Sequence, residues 1–176
     1  NNNPSTNNNP STTNNNLSTT NNNPSTNPSI ITQRPVDPFI NLNLESEQTV
    51  RLIINIANNV FIQLGKGFNE CIYHKAMLVD LQQSSYSVET EKIIPILFNN
   101  ICVGYVKSDI IVETDDYLII VELKALDREI NYKEEIQVKK YIKHINKSKK
   151  KYGLIINFSQ KNTTDTTVQF KILDTN

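Results

Sequence analysis

Apolar side chains follow two different rhythms along the chain, and each rhythm marks an element type. Val50, Ile53, Ile54, Ala57, Phe61 and Leu64 recur three and four residues apart. That spacing puts them on one face of an amphipathic helix over about 46–64, ended by Gly65. Beyond the break "GKGF" a second helix is expected over 68–83, with Ile72, Ala76, Val79 and Gln83 on its inner side. The rhythm then becomes strand-like. "YSVETEKIIPILF" (86–98) ends at Asn99-Asn100, a pair suited to a hairpin turn, and "ICVGYVKSDIIVE" (101–113) runs on to Thr114-Asp115-Asp116. Pro95 has no amide hydrogen to give, which assigns the first run to a sheet edge or a bulge. "YLIIVELKAL" (117–126) is the most apolar run and is expected at the sheet centre. A third helix fits 132–146, with Ile136, Tyr141 or Lys140, and Ile145 facing inward, and 152–159 and 167–173 read as two further strands. The order α, α, β, β, β, α, β, β predicts an α/β (α+β mixed) fold with a central mixed β-sheet flanked by helices.

The N-terminal stretch obeys neither rhythm. "NNNPST" stands at 1–6, 7–12 and 21–26, "NNNLST" at 14–19, and no charged residue precedes Arg34. A solenoid would need apolar positions in every repeat, and Leu17 is alone before Ile30. Such a segment cannot offset the entropy lost on ordering. Residues 1–40 are therefore expected to be a disordered low-complexity tail and linker, and 41–176 a single folded domain. The 18 Lys+Arg balance 18 Asp+Glu, which argues against gripping nucleic acid by bulk charge and leaves room for a local basic surface. No apolar run approaches the ~20 residues of a membrane span, and no basic segment leads into an apolar one as a secretory signal does. An intracellular protein with no membrane partner is expected. Cys71 and Cys102 form no CxxC pair and are expected to be reduced and buried. His74 and His144 keep no ligand spacing to them, which speaks against zinc.

Two charges interrupt the most apolar strand. In "VELKA" (121–125), Val121, Leu123 and Ala125 share one face, while Ile120, Glu122 and Lys124 share the other. Burying a charge is unfavourable unless it is paired. A hairpin turning at 114–116 sets Asp109 opposite 121 or 122, so Asp109 and Glu122 are expected side by side. Adjacent carboxylates repel unless a cation stands between them. Lys124 can neutralise one, and a divalent ion can neutralise both. Half-exposed sheets also carry charges on a solvent face with no chemistry attached, and these three residues alone leave that reading open. Their apolar flanks, "IIV" and "DIIV", place them in core-like sequence. Hard ions such as Mg²⁺ take one or two carboxylates and keep several waters. A lysine beside one can orient the attacking water and stabilise charge on a phosphoryl oxygen. Asp…Glu-x-Lys is a minimal kit for metal-assisted hydrolysis of a phosphodiester.

Asp109 with Glu122-Leu123-Lys124 resembles the PD-(D/E)xK nuclease superfamily, which includes RecB-like and lambda-exonuclease-like enzymes. Upstream, Gly67, Glu70 and Tyr73 match G-x-x-E-x-x-Y, the motif of the GxxExxY protein family within it, and Gln137 with Tyr141 resembles the Q-x-x-x-Y motif of RecB-like members. The likeness runs from about Val60 to Leu173, with Ser108 where the superfamily's name has proline. It implies a restriction-endonuclease-like core and a Mg²⁺- or Mn²⁺-dependent deoxyribonuclease. It also implies metal ligands from Glu70, Asp109 and Glu122, with the Leu123 carbonyl a further one, and Lys124 positioning or activating water. Gln137 and Tyr141 would steady the site or touch substrate. Gly67 would permit the tight approach to the second helix, and Tyr73 is read as packing.

Lys139, Lys140, Lys143 and Lys147 cluster on and after the third helix, followed by Lys149, Lys150 and Lys151. Lysine runs are mostly solvated faces. A phosphate-binding surface that contacts backbone rather than bases is the sharper reading here, because Gln137 is close by. DNA is the expected partner, and a homodimer is one way for a domain of this size to span a duplex. The rival reading is a catalytically quiet nucleic-acid-binding or interaction module that keeps the nuclease fold.

Overall fold

The computed structural model describes residues 36–146 and 148–174. The expected disordered repeats and Lys147 lie outside the described residues. The element order is α1 (Leu44–Leu64), α2 (Glu70–Leu81), β1 (Ser87–Phe98), β2 (Ile101–Glu113), β3 (Tyr117–Lys124), α3 (Tyr132–His144), β4 (Lys150–Asn157) and β5 (Gln169–Asp174). The strands form one five-stranded sheet in the order β1-β2-β3-β4-β5. β3 and β4 are parallel, joined through α3, and every other pair is antiparallel. This is the mixed sheet flanked by helices that the hydrophobic pattern predicts.

Local chemistry sets the boundaries. Asn43 accepts the Ser46 amide at 2.8 Å and starts α1, and Gly65, with φ of 73°, ends it. Asn99 and Asn100 have φ of 49° and 62°, the left-handed pair that a two-residue hairpin turn demands. Pro95 lies on β1, the edge strand, and the β1–β2 register slips by one residue between Ile96 and Leu97. β3 is buried at every position from Tyr117 to Leu123, as the centre of a sheet covered on both faces must be.

The sheet separates two apolar layers. On one face α1 and α2 pack Val50, Ile53, Phe61, Tyr73 and Met77 against Ile110, Ile119, Val121 and Leu154. On the other, α3 packs Val138, Tyr141 and Ile142 against Ile111, Leu118, Ile120 and Ile155. Phe39, in the stretch read as linker, belongs to the first layer, 5.9 Å from the Phe170 ring. Two expectations need correction. The inner face of α2 is Tyr73, Met77 and Leu81, whereas Ile72 and Val79 are 39% and 60% exposed. The apolar residues of this short helix surround its axis, so periodicity leaves the face open. The stacking of Tyr73 on Phe158, with centroids 4.3 Å apart and planes 4° apart, decides it. Cys71 and Cys102 are free but exposed rather than buried, because they sit on the outer side of α2 and near the hairpin tip.

Candidate active site

The β2–β3 ladder stops at Ile110↔Val121, and there a side chain takes over from the backbone. The Asp109 carboxylate accepts the Leu123 amide at 2.7 Å. This fixes Asp109 beside Glu122, where the hairpin register predicts it. Glu122 lies on the α3 face at 1% exposure. Its Oε1 accepts from Lys124 Nζ and, at 2.6 Å, from Gln137 Nε2. Gln137 Nε2 also donates to the Tyr141 hydroxyl at 2.6 Å, one helical turn further along α3. Lys124 Nζ donates to the Leu123 carbonyl at 2.9 Å and stands 3.6 Å from Glu70 Oε2, at the first residue of α2. Glu70, Asp109, Glu122, Lys124, Gln137 and Tyr141 therefore meet at the end of β3, although they come from four elements.

The turn before α2 is clamped so that Glu70 reaches this point. Gly67 has φ of 97°, a conformation open to glycine, and its amide donates to Gln160 Oε1 at 2.7 Å. Lys66 Nζ donates to the carbonyls of Lys161 and Thr163. The Tyr73 hydroxyl donates back to the Gly65 carbonyl at 2.8 Å. The G-x-x-E-x-x-Y stretch thus ties the start of α2 to the loop after β4, with Gly67 supplying the bend, Tyr73 the anchor and Glu70 the projecting carboxylate.

Three carboxylates share one ammonium, and the protonation equilibria reflect that deficit. Burial, with the charge of Asp109 adding to it, pushes Glu122 up to about 7 against the opposing pull of Lys124. Burial also raises Glu70, again opposed by Lys124 and assisted by Asp109. Burial alone would lower Lys124, but the charge and hydrogen bond of Glu122, with Glu70 and Asp109 beyond, outweigh it and hold the ammonium above its usual range. Burial and the nearby Glu122 charge push the Tyr141 hydroxyl up, so it stays protonated.

Among the described residues no three His, Cys, Asp or Glu side chains gather closely enough to cage an ion by themselves. The donors present still fit a hard cation that retains water. They are oxygens, and Glu122 Oε2 is buried without a hydrogen-bond partner. The Leu123 carbonyl, a proposed further ligand, is occupied by Lys124 Nζ.

Some neighbours of the site escape motif reading. His74 Nε2 lies 3.2 Å from the Asp109 carbonyl oxygen and 3.1 Å from Thr90 Oγ1; its place one turn after Glu70 is the available signal. Asn157, 1% exposed, accepts the Leu126 amide at 2.8 Å and donates to the Arg128 carbonyl, holding the chain as it leaves Lys124. A polar residue closing the apolar run "GLIIN" marks it. Of the expected basic residues, Lys140 lines a groove of about 510 Å³ with Lys107, Tyr132, Lys133, Gln137 and Tyr141. Lys139 and Lys143 are exposed on α3 outside that groove, Lys139 within 4.0 Å of Glu135. Lys149 is drawn aside by Glu113 at 3.0 Å.

A comparison with curated protein sequences returned no match. The sequence model of the PD-(D/E)XK nuclease superfamily matches residues 47–169, a span that runs from α1 to β5 and contains every residue of the cluster. With Asp109, Glu122 and Lys124 in the motif's order and meeting in space, the chain belongs to the PD-(D/E)XK nuclease superfamily.

Proposed function

We propose that the domain is an intracellular Mg²⁺- or Mn²⁺-dependent nuclease that hydrolyses DNA phosphodiester bonds. The observation that carries this reading is Glu122: a carboxylate at 1% exposure with one oxygen unpartnered, beside Asp109 and bonded to Lys124. A buried half-satisfied carboxylate is destabilising on its own, and a cation would supply the missing partner. Glu70, Asp109 and Glu122, together with water, would hold that ion, and the Leu123 carbonyl, which already accepts from Lys124 Nζ, would join them through its second lone pair. Once bound, it would supply Lewis-acid stabilisation of charge on a phosphoryl oxygen. Lys124 holds and orients the attacking water and stabilises developing negative charge. Gln137 fixes the Glu122 rotamer, and Tyr141, still protonated, can donate to a phosphate oxygen. Lys140, Lys133 and Lys107 flank the groove where a strand backbone would lie. Gly67-Phe68-Asn69-Glu70 and the Gln137–Tyr141 pair support a place in the GxxExxY family near the RecB-like enzymes.

One feature favours a second reading, a binding module without turnover. Lys124 already bridges Glu122 and the Leu123 carbonyl, so the cluster is partly self-satisfied without an ion. Calorimetric titration separates the two. The nuclease reading predicts Mn²⁺ binding that Asp109→Asn and Glu122→Gln remove, together with DNA cleavage that stops in EDTA. Absence of both binding and cleavage in the unaltered protein would favour the quiet module.

A further inference from the structure

The rung beside the site is missing from the hairpin ladder. β1 pairs with β2 at Thr90↔Ile110 and at Lys92↔Ser108, but Glu91 and Asp109 between them are not paired. Glu91 has φ of 51°, in the left-handed region that side chains rarely adopt. The ribbon also turns over here. Val88 and Val112, paired with each other, pack into the α1–α2 layer, whereas Ile94 and Val106, paired an even number of residues further on, pack into the α3 layer. Regular alternation would keep both pairs on one face. The β2–β3 ladder has already ended at Ile110↔Val121, so Asp109 is paired in neither ladder. Two side-chain bonds hold it instead. Its carboxylate accepts the Leu123 amide at 2.7 Å, and its carbonyl oxygen lies 3.2 Å from His74 Nε2.

A carbonyl oxygen only accepts, so His74 donates through its Nε2–H. Thr90 Oγ1, 3.1 Å from the same nitrogen, is the second acceptor of a three-centre bond. Among the described residues these are the hydrogen bonds that tie α2 to β1 and β2; those made through Tyr73 go to Gly65 and Gln160. His74 stands one turn after Glu70 on the same helix. A single helix therefore carries the Glu70 carboxylate and grips the main chain of Asp109 where the sheet leaves it unpaired.

We propose that His74 is a positioning residue: its Nε2–H fastens the Asp109 main chain to α2 and so fixes the spacing between the Asp109 and Glu70 carboxylates. The consequence for a metal ion rests on the nuclease reading, whereas the fastening itself does not. Two measurements on the full chain test it. In EDTA, exchange of the Leu123 amide hydrogen, which the Asp109 carboxylate protects, should quicken in His74→Leu. It should return to the unaltered rate in His74→Gln, whose side-chain amide takes the place of Nε2. In calorimetric titration with Mn²⁺, His74→Leu should raise the dissociation constant ~10–100-fold, the usual effect of losing a group that orients a ligand, and His74→Gln should restore it. His74→Asn, too short to reach the carbonyl, should behave like His74→Leu and replaces it if leucine disturbs folding. Thr90→Val, which leaves the Asp109 bond in place, should change neither quantity. The proposal is overturned if the leucine and asparagine variants keep the unaltered exchange rate, if they keep the unaltered Mn²⁺ affinity, or if Thr90→Val reproduces their defect. If the unaltered protein binds no Mn²⁺, the nuclease reading fails, and the Leu123 exchange rate alone decides whether His74 holds Asp109.

Discussion

At the scale of single residues, the site is a problem of charge balance. Lys124 serves Glu122, Glu70 and Asp109, and Glu122 keeps one oxygen without a partner. Replacing that carboxylate by an amide should abolish cleavage and, in EDTA, stabilise the fold by about 1 kcal/mol, because a buried carboxylate with one unsatisfied oxygen is exchanged for a neutral group while Lys124 keeps Glu70 as a partner. Thermal unfolding of Glu122→Gln checks this, and a clear loss of stability would count against a carboxylate retained for chemistry. Glu134 presents the opposite case. It accepts both Arg128 amino groups, at 2.6 and 3.1 Å, and the Asn131 amide at 2.9 Å, closing a capping box at the start of α3. The Arg128 hydrogen bonds, opposed by burial, hold its carboxyl down at about 2. A lowered folded-state pKa means this stabilisation is complete above the ordinary value of 4.5 and fades as pH falls toward about 2. Denaturant titrations between those limits should show the decline. Glu134→Gln should flatten it and cost about 1–3 kcal/mol at neutral pH. Asp109, Glu122 and Lys124 are legible in sequence because strand parity and hairpin register alone bring them together. His74 and Asn157 carry only a faint signal, because their partners, the Asp109 carbonyl and Thr90 hydroxyl for one and the Leu126 amide and Arg128 carbonyl for the other, lie far along the chain, where no spacing rule reaches.

At the scale of elements, α3 carries two of the six residues of the site, Gln137 and Tyr141, and is positioned by a glycine. A Cβ on Gly153 of β4 would collide with Val138 Cγ1 and stand 3.2 Å from Ile142 Cδ1 and 3.3 Å from the Leu173 Cβ. Gly153→Ala should therefore push α3 off the sheet and destabilise the fold by about 1–3 kcal/mol. Because Gln137 precedes Val138, cleavage should fall further than stability does. Unfolding and cleavage measured on the same variant decide this, and unchanged values in both would show that α3 is not seated by this contact. Element types and order are legible from periodicity, as are the Asn-Asn turn and the central place of β3. The face of α2 is not, because apolar residues surround that helix and stacking on Phe158 selects one side.

At the scale of the whole molecule, both apolar layers lie between Phe39 and Leu173. Removing residues 1–35 should leave the thermal midpoint and cleavage unchanged, and a lower midpoint would mean that the repeats contribute to the fold. The superfamily match and the meeting of Glu70, Asp109, Glu122 and Lys124 at the end of β3 support one account: the charges in the central strand exist for phosphodiester hydrolysis. The most direct test is DNA cleavage by the purified full chain in Mg²⁺ or Mn²⁺, set beside Lys124→Ala. The account predicts cleavage that EDTA stops and a loss of about 10²–10³ in rate for the variant, with its circular dichroism and unfolding retained. Equal cleavage by Lys124→Ala would contradict it.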